Sequence, residues 1–453
     1  MYLNKNLFFI ITYFTIISSS FSQSNTHKVD KIINRFYTTE SPGISILIAK
    51  DGKKMYTNFL GNADLKKKTQ VTDKTVFQIG SITKQFTAVA ILILEEQGKL
   101  KLTDTINKYL PIYPLKGNPV TIHNLLNHTS GIRGRTPISE PNLREKNLTV
   151  DETIAYFKDF PIKFKAGEKF SYSNAGYILL GKIIEIVSGV TYQKFIRENI
   201  FQKLSMNNTR FGSKSNPSRN LSVGYQYLNK KYLVAPTISI STQYSAGSIL
   251  STVSDLLKWQ NALTSNTIIK KTSYIKATNG SILKNGKQIS YGYGWYKRKI
   301  DDSTVLTHGG ATAGFMSNGI YLKKENIYII ALTNCYCKSK INLQKLTYKI
   351  AQLFTVKNNI NNNSHLKLNK WTGSYKLNNN TIISFQLIDG ILYGFNDRKP
   401  EIKHKLITVS KNEFTFENRK FNFYFNNSKN GTKTVKMSSG KRVLFGKFIN
   451  NIE

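Results

Sequence analysis

Cysteine, acidic side chains and long apolar runs are all scarce in this 453-residue chain, and each shortage excludes something. The only cysteines are Cys335 and Cys337, one residue apart at the end of an apolar, strand-like run. Residues that close rarely meet disulfide geometry, and two thiols are too few for a structural metal cage. The fold is therefore expected to form without disulfides. Acids number 26 against 65 lysines and arginines, a formal charge of +39. Such a balance can favour anionic polymers or membrane surfaces. Here the bases are scattered in short runs such as Lys66-Lys67-Lys68, with no basic helix and no known nucleic-acid module, so no nucleic-acid partner is expected. No stretch is apolar for long enough to make a stable membrane span. The run Leu7 to Ile17 follows the basic Lys5 and precedes small residues from Ser18 to Ser22. It is about half the length a bilayer requires. Residues 1–22 read as a signal peptide, which implies secretion across the inner membrane to a periplasmic or extracellular site. A retained N-terminal anchor is the alternative reading of the same stretch.

What the chain does have is length and apolar content for two or three domains. Pro42-Gly43 opens an apolar run, Ile44 to Ala49, and Asp51-Gly52 separates it from a second near Tyr56 to Leu60, which predicts a hairpin. Helical patterns follow at Thr121 to Leu126, Val150 to Phe157, Tyr177 to Val187, Tyr192 to Leu204 and within Ala246 to Leu263. After Tyr291 the pattern returns to strands, at Val305 to His308, Gly314 to Tyr321 and Ile327 to Thr333, and closes with an amphipathic helix, Leu343 to Phe354. Strands at both ends of a helix-rich middle predict an α/β body with a helical insertion over residues 27–356. The run Asn358 to Asn363 marks residues 357–367 as an Asn-rich linker. Short alternating runs from Ile382 to Phe445 then predict a small all-β barrel or sandwich over residues 368–453. Its aromatic residues are expected to fill its core; a carbohydrate-binding face is the alternative.

The chemistry is concentrated in Gln78-Ile79-Gly80-Ser81-Ile82-Thr83-Lys84, which leads into apolar residues as far as Leu94. Positions three apart share a helix face, so Ser81 and Lys84 should meet at the buried start of a helix. A serine becomes a nucleophile when a base takes its proton, and a lysine serves when burial keeps its amine neutral. The same spacing recurs at Ser273/Lys276, Ser281/Lys284, Ser364/Lys367 and Ser438/Lys441, but only Ser81 lies between a glycine turn and a long apolar helix. The other four read as solvated surface or loop. Two more triplets accompany the first: Tyr172-Ser173-Asn174 just before a helix, and His308-Gly309-Gly310-Ala311 at the end of a strand. His128, in the loop Asn127 to Ile132, invites a catalytic reading, but with no carboxylate paired to it in the sequence it reads as a loop brace.

Taken together, the three triplets resemble the serine β-lactamase and penicillin-binding-protein superfamily, most closely its class C-like branch of esterases and D-amino-acid peptidases. Ser-x-x-Lys is a motif of that superfamily, and Tyr172-Ser173-Asn174 matches the Tyr-x-Asn form of its second motif. Pro42-Gly43, His128-Thr129-Ser130-Gly131, Tyr291 to Trp295 and Asn334 look like the family too, so the resemblance spans roughly residues 30–355. It implies a β-lactamase/DD-peptidase-like fold, an antiparallel sheet flanked by helices with a helical insertion. The tail, opening with Trp371-Thr372-Gly373-Ser374-Tyr375, is similar to the lipocalin-like domain often appended to such hydrolases. The resemblance also implies roles: Ser81 as the acylated nucleophile, Lys84 and Tyr172 in proton transfer, Asn174 on the substrate carbonyl, and Ser81 and Ala311 N–H groups as the oxyanion hole beside Gly309 and Gly310.

One departure stands out. The family's Lys-Thr-Gly is replaced at His308, and an unperturbed imidazole is mostly neutral at neutral pH. This disfavours strong β-lactamase activity and favours ester or peptide substrates less dependent on a carboxylate anchor. The alternative is that His308 only packs beneath its strand. The function expected is an exported serine hydrolase acting through an acyl-enzyme on small ester or peptide substrates, cell-wall peptides among them. A D-alanyl-D-alanine carboxypeptidase or weak class C-like β-lactamase is the nearest alternative, and a non-catalytic envelope-binding protein the next. The Gly-x-Ser-x-Gly elbow of other serine hydrolases is absent, as is any metal-ligand cluster, so neither a metal nor another cofactor is expected.

Overall fold

The strands of the main sheet that come first and last in the chain pair with each other, and that closure builds the frame for everything else. In this computed structural model, strand β1 (Ile44–Lys50) turns into β2 (Lys53–Leu60) through Asp51 and Gly52, with φ of 51° and 75°. Two consecutive positive φ values give the turn whose twist suits a hairpin, which is why Asp-Gly sits there. On its other edge β1 takes a partner from the far end of the unit, Ile44 opposite Thr333 and Lys50 opposite Ile327. The antiparallel sheet runs β3 (Tyr296–Ile300), β4 (Ser303–Thr312), β5 (Phe315–Leu322), β6 (Ile327–Thr333), β1, β2. The described residues are 25–115, 117–212, 220–337, 340–355, 368–388, 391–410, 412–416, 421–428, 431–440 and 442–450. The expected signal peptide and Asn-rich linker lie outside them.

The helices that position the site are α1 (Thr83–Glu96), α2 (Asn174–Ser188), α3 (Ile240–Gly247), α4 (Lys271–Thr278) and α5 (Leu343–Gln352). Every α1 residue from Thr83 to Leu94 is buried, as an all-round apolar helix must be. The sheet separates two cores: Leu47 and Ala49 face the larger one with α1 and α2, while Ile44, Ile46 and Ile48 face Leu346 and Ile350 of α5. Asn334, just after β6, locks the closure. Its Oδ1 accepts from Gly43 N–H at 2.7 Å, and its Nδ2 lies within 3.1 Å of the carbonyls of Asn62, Ala63 and Val223.

Several local expectations need correction. Cys335 and Cys337 form a disulfide: the chain leaves its strand after Tyr336, which brings the two Cα atoms to 5.3 Å, inside the usual span. Closing so short a loop removes little chain entropy, about 1–2 kcal/mol. The run Tyr192 to Leu204 is not one α-helix but α over Tyr192–Ile196 and a π turn over Arg197–Phe201. There the Asn199 side-chain amide donates to the Phe195 carbonyl at 3.0 Å, competing for the acceptor a regular turn would use. The helix expected within Ala246 to Leu263 is found over Val253–Thr264, after Ala246 and Gly247 close α3 and Ile249–Ser251 form a short strand. Among the described residues no single helix is long and apolar enough to cross a membrane.

The chain divides at residue 356 into two units. The second is a closed barrel of eight antiparallel strands, from Gly373–Leu377 to Arg442–Asn450. Tyr375, Phe385, Phe414, Phe423 and Phe425 point inward, and the Trp371 ring stacks on Phe425 at 5.2 Å. Period-2 alternation produces this inward row, and closure removes the exposed edges an open sheet would present.

Candidate active site

Glycine sets the entrance. Gly80 has φ of 52°, and a Cβ there would lie 2.8 Å from the Ala311 nitrogen. A Cβ on Gly310 would come within 2.0 Å of the Ile79 carbonyl oxygen. Only a chain without side chains at both places lets the end of β4 lie against the Gly80–Ile82 turn. The Ser317 hydroxyl on β5 ties the same turn down by donating to Ile79 O at 2.7 Å.

One turn further, Lys84 is completely buried in the first turn of α1. Its Nζ lies 3.2 Å from Ser81 Oγ, 2.8 Å from Asn174 Oδ1 and 2.7 Å from the Ala246 carbonyl. No carboxylate bonds it among the described residues, so burial works unopposed and pushes the amine down to about 7. The positive end of α1 acts in the same direction. A neutral amine has two N–H bonds and one lone pair. The Asn174 and Ala246 oxygens can only accept, so they take the two N–H bonds, and the lone pair is left to Ser81 O–H. The rings of Tyr172 and Tyr177, 5.0 and 5.5 Å from Nζ, wall the amine in.

The second triplet is held by α2. Ser173 caps that helix, its Oγ accepting from Gly176 N–H at 3.1 Å, which places Asn174 as the first helical residue and Tyr172 just outside. His128 braces this loop. Its Nδ1 accepts from Ser173 N–H at 3.1 Å, and its ring packs against Tyr172, Tyr177 and Tyr291. Burial, and then the Lys84 charge, push its pKa well below the ordinary value, so it stays neutral. The Tyr172 hydroxyl is hydrogen-bonded to Ser81, while burial raises its pKa above the ordinary 10.0 and keeps it a phenol.

The third triplet completes the cavity. His308 Nδ1 is 2.7 Å from the Gly309 carbonyl, which can only accept, so the proton sits on Nδ1 and Nε2 accepts from Tyr291 O–H at 3.0 Å. Burial, with the Lys84 charge beside it, lowers the imidazole to about 3. The cavity, about 660 Å³, is lined by Ser81, Tyr172, His308, Gly309, Gly310 and Ala311, so all three triplets face one space. Asn174 reaches it through Lys84.

Sequence reasoning missed Ala246 and Arg298. The Ala246 carbonyl is presented where α3 breaks at Tyr244, a buried residue with φ of 39° and ψ of −134°. Thr87 Oγ1 donates to the neighbouring Ser245 carbonyl at 2.7 Å, and Ser245 Oγ donates to Tyr177 O at 2.9 Å. A backbone carbonyl carries no residue-type signal, so only the fold reveals it. Arg298 lines the cavity from β3, its guanidinium 4.8 Å from the Tyr296 ring. The pairing of β3 with β4 brings it there, a register no motif records.

Residues 29–340 match the Beta-lactamase family. The chain belongs to that family. Over 306 residues this β-lactamase-family hydrolase is 31% identical to penicillin-binding protein 4* of Bacillus subtilis strain 168, covering 64% of this chain and 67% of that protein. Over 322 residues it is 31% identical to protein flp of Staphylococcus aureus strain N315, covering 69% and 64%. The chain thus spans about two thirds of the length of these relatives. The solved structure of an octameric penicillin-binding protein homologue from Pyrococcus abyssi is similar over 93% of this chain and 99% of its own, with a TM-score of 0.64 and 25% identity. That of D-amino acid amidase from Ochrobactrum anthropi SV3 with D-phenylalanine is similar over 74% and 98%, with a TM-score of 0.63. At 21% identity this second likeness is one of fold. In this β-lactamase-family hydrolase, the position at which the sequence resemblance implies a lysine holds a neutral imidazole, and among the described residues lining the cavity the cationic side chain is Arg298 on the adjacent strand.

Proposed function

We propose that this hydrolase is exported and opens ester or amide bonds, those of D-amino-acid peptides included, through an acyl-enzyme at Ser81. One observation carries the reading: the bonds of Lys84 leave a neutral amine's lone pair aimed at Ser81 O–H. The substrate carbonyl sits over Ser81 with its oxygen toward the N–H groups of Ser81 and Ala311. Lys84 takes the Ser81 proton while its own N–H bonds stay on Asn174 and Ala246. Ser81 Oγ bonds to the carbonyl carbon, and the proton passes by Tyr172 to the leaving oxygen or nitrogen as the scissile bond breaks. Water then enters on the same path: its oxygen bonds to the acyl carbon as Lys84 takes its proton, the bond to Ser81 Oγ breaks, and Lys84 returns the proton to Oγ as the acid leaves. The signal-like residues 1–22 support export, and the names penicillin-binding protein and D-amino acid amidase among related proteins support amide substrates. The test is intact-mass spectrometry during turnover of an activated ester. An acyl adduct should form on the native chain and vanish in Ser81→Ala, with turnover falling about 10⁴- to 10⁶-fold; turnover kept by the variant sinks the reading.

A second reading, a D-alanyl-D-alanine carboxypeptidase, is favoured by Arg298, a cation lining the cavity that could hold a substrate carboxylate. Arg298→Ala should then raise KM about tenfold or more for a D-Ala-D-Ala peptide acid and leave that of its C-terminal amide unchanged. Equal changes for acid and amide would remove this reading and leave the first intact.

A further inference from the structure

The outer wall of the barrel is concave on one side, where four neighbouring strands meet: β8 (Asn422–Asn427), β9 (Lys433–Ser439), β10 (Arg442–Asn450) and β7 (Gly373–Leu377), paired in that order. Their outward residues line a groove of about 780 Å³. Strand register sets two rows across it. In one, Tyr424 stands opposite Lys436 and Lys436 opposite Phe445. In the other, Asn426, Thr434, Lys447 and Lys376 follow one another. Alternate residues of a strand share a face, so the two rows lie side by side.

The barrel itself does not need aromatic rings here. Phe423, Phe425 and Val435 from the same strands already fill its core, yet Phe445 keeps 58% and Tyr424 49% of its surface exposed. Phe445 is also held in place. The Asn378 main-chain N–H donates to its carbonyl at 2.8 Å, and Asn378 Oδ1 accepts from its N–H at 3.4 Å. Two strand spacings, about 10 Å, separate the positions that carry the two rings. No aspartate or glutamate is among the described residues lining the groove, and Glu413 stands beyond it, on the far side of Tyr424.

This combination points to one class of ligand. A bilayer surface suits a convex apolar face, whereas here the rings lie in a hollow and alternate with amides, a hydroxyl and cations. A sugar ring has an apolar face that lies flat on an aromatic side chain and hydroxyls at its edge that bond to amides. The lysines then ask for negative charge along the chain.

We propose that the groove binds an acidic polysaccharide, its rings against Tyr424 and Phe445 and its carboxylates at Lys376, Lys436 and Lys447. Such a site holds the hydrolase on an anionic polymer, whatever bond Ser81 opens.

The probe is hexagalacturonate, titrated calorimetrically into the full chain at low salt beside its carboxyl-reduced, neutral counterpart. The acidic hexamer should bind saturably at one site and the neutral one at least about tenfold more weakly. Phe445→Ala removes an exposed ring without touching the core and should weaken the acidic hexamer about three- to tenfold. Lys436→Gln with Lys447→Gln should weaken it about two- to tenfold, a loss that fades as salt is added. Lys405→Gln, on the strand His404–Ser410 away from the groove, should change nothing. Non-saturable binding, equal affinity for the neutral hexamer, or indifference to Phe445→Ala overturns the proposal. So does tighter, Phe445-dependent binding of hexathymidylate or of phosphatidylglycerol vesicles, which would assign the groove to nucleic acid or to membrane. Binding at the Ser81 cavity would ignore the barrel variants and counts against it. Ser81 acylation is read separately, so either proposal can fail alone.

Discussion

Two helices in this protein carry the same Ser-x-x-Lys spacing and do opposite things with it. On α1 the lysine is wholly enclosed, its neighbours are carbonyl oxygens, and the serine lies in the turn before the helix. On α4, Ser273 is the buried partner, while Lys276 keeps 45% of its side chain in solvent and pairs with Glu95 at 3.0 Å. The second lysine stands in water against a carboxylate, whereas neutral acceptors in a dry site let the first lose its proton. Spacing brings the two groups together; what surrounds the nitrogen decides whether it is a base.

The sharpest way to break this contrast is Lys84→Met. Activity on an activated ester should fall about 10²- to 10⁴-fold, the range for removing a positioned base, with burst kinetics as the check. Stability should respond as well. Folding lowers the amine from 10.5 to about 7, so between those values the unfolded chain holds a proton the folded chain has released, and stability rises with pH across that window. Below pH 7 the cost of enclosing the charge is borne in full. Comparing denaturant midpoints at pH 7 and 9.5, the native chain should gain stability relative to the methionine variant by on the order of a few kcal/mol.

Next in size is the pH profile of kcat/KM. Below about 7 activity should drop about tenfold per unit as Lys84 takes a proton. His128 and His308, both held neutral by burial, and Tyr172, held as a phenol, should add no second acid limb. A limb near 5 or a bell centred elsewhere would assign the base to another group. The smallest effect belongs to α4: Lys276→Ala should leave turnover unchanged and cost at most about 1 kcal/mol in thermal unfolding, as for any exposed ion pair.

Much of this was legible in the chain before folding, and for stated reasons. Gly80 before Ser81, with mostly apolar residues from Ile82 to Leu94, reads as a buried helix start, and that is where Ser81 and Lys84 meet. Asp51-Gly52 announced the hairpin, and the period-2 runs after Ile382 announced the barrel. What could not be read rests on backbone or on register. The Ala246 carbonyl depends on a break at Tyr244, within residues Ile240–Gly247 that show no strong periodicity. Arg298 depends on which β4 residue it opposes, Val305. The charge on His308 depends on burial, which residue type alone leaves open.

The closure between β1 and β6 has a consequence in time. Thr333 Oγ1 bonds to the Gly43 carbonyl across 290 positions, so the N-terminal hairpin emerges long before the strand that covers its inner edge exists. Such distant pairing is slow to form and leaves a sticky border meanwhile, while the outer border on β2 is guarded by the exposed Lys53 and Lys54. Ser81 is thus synthesised early and its cavity completed late: a nascent chain that stops short of β4 already holds Ser81 and Lys84 but lacks His308, Gly309, Gly310 and Ala311, which line the other side of the space.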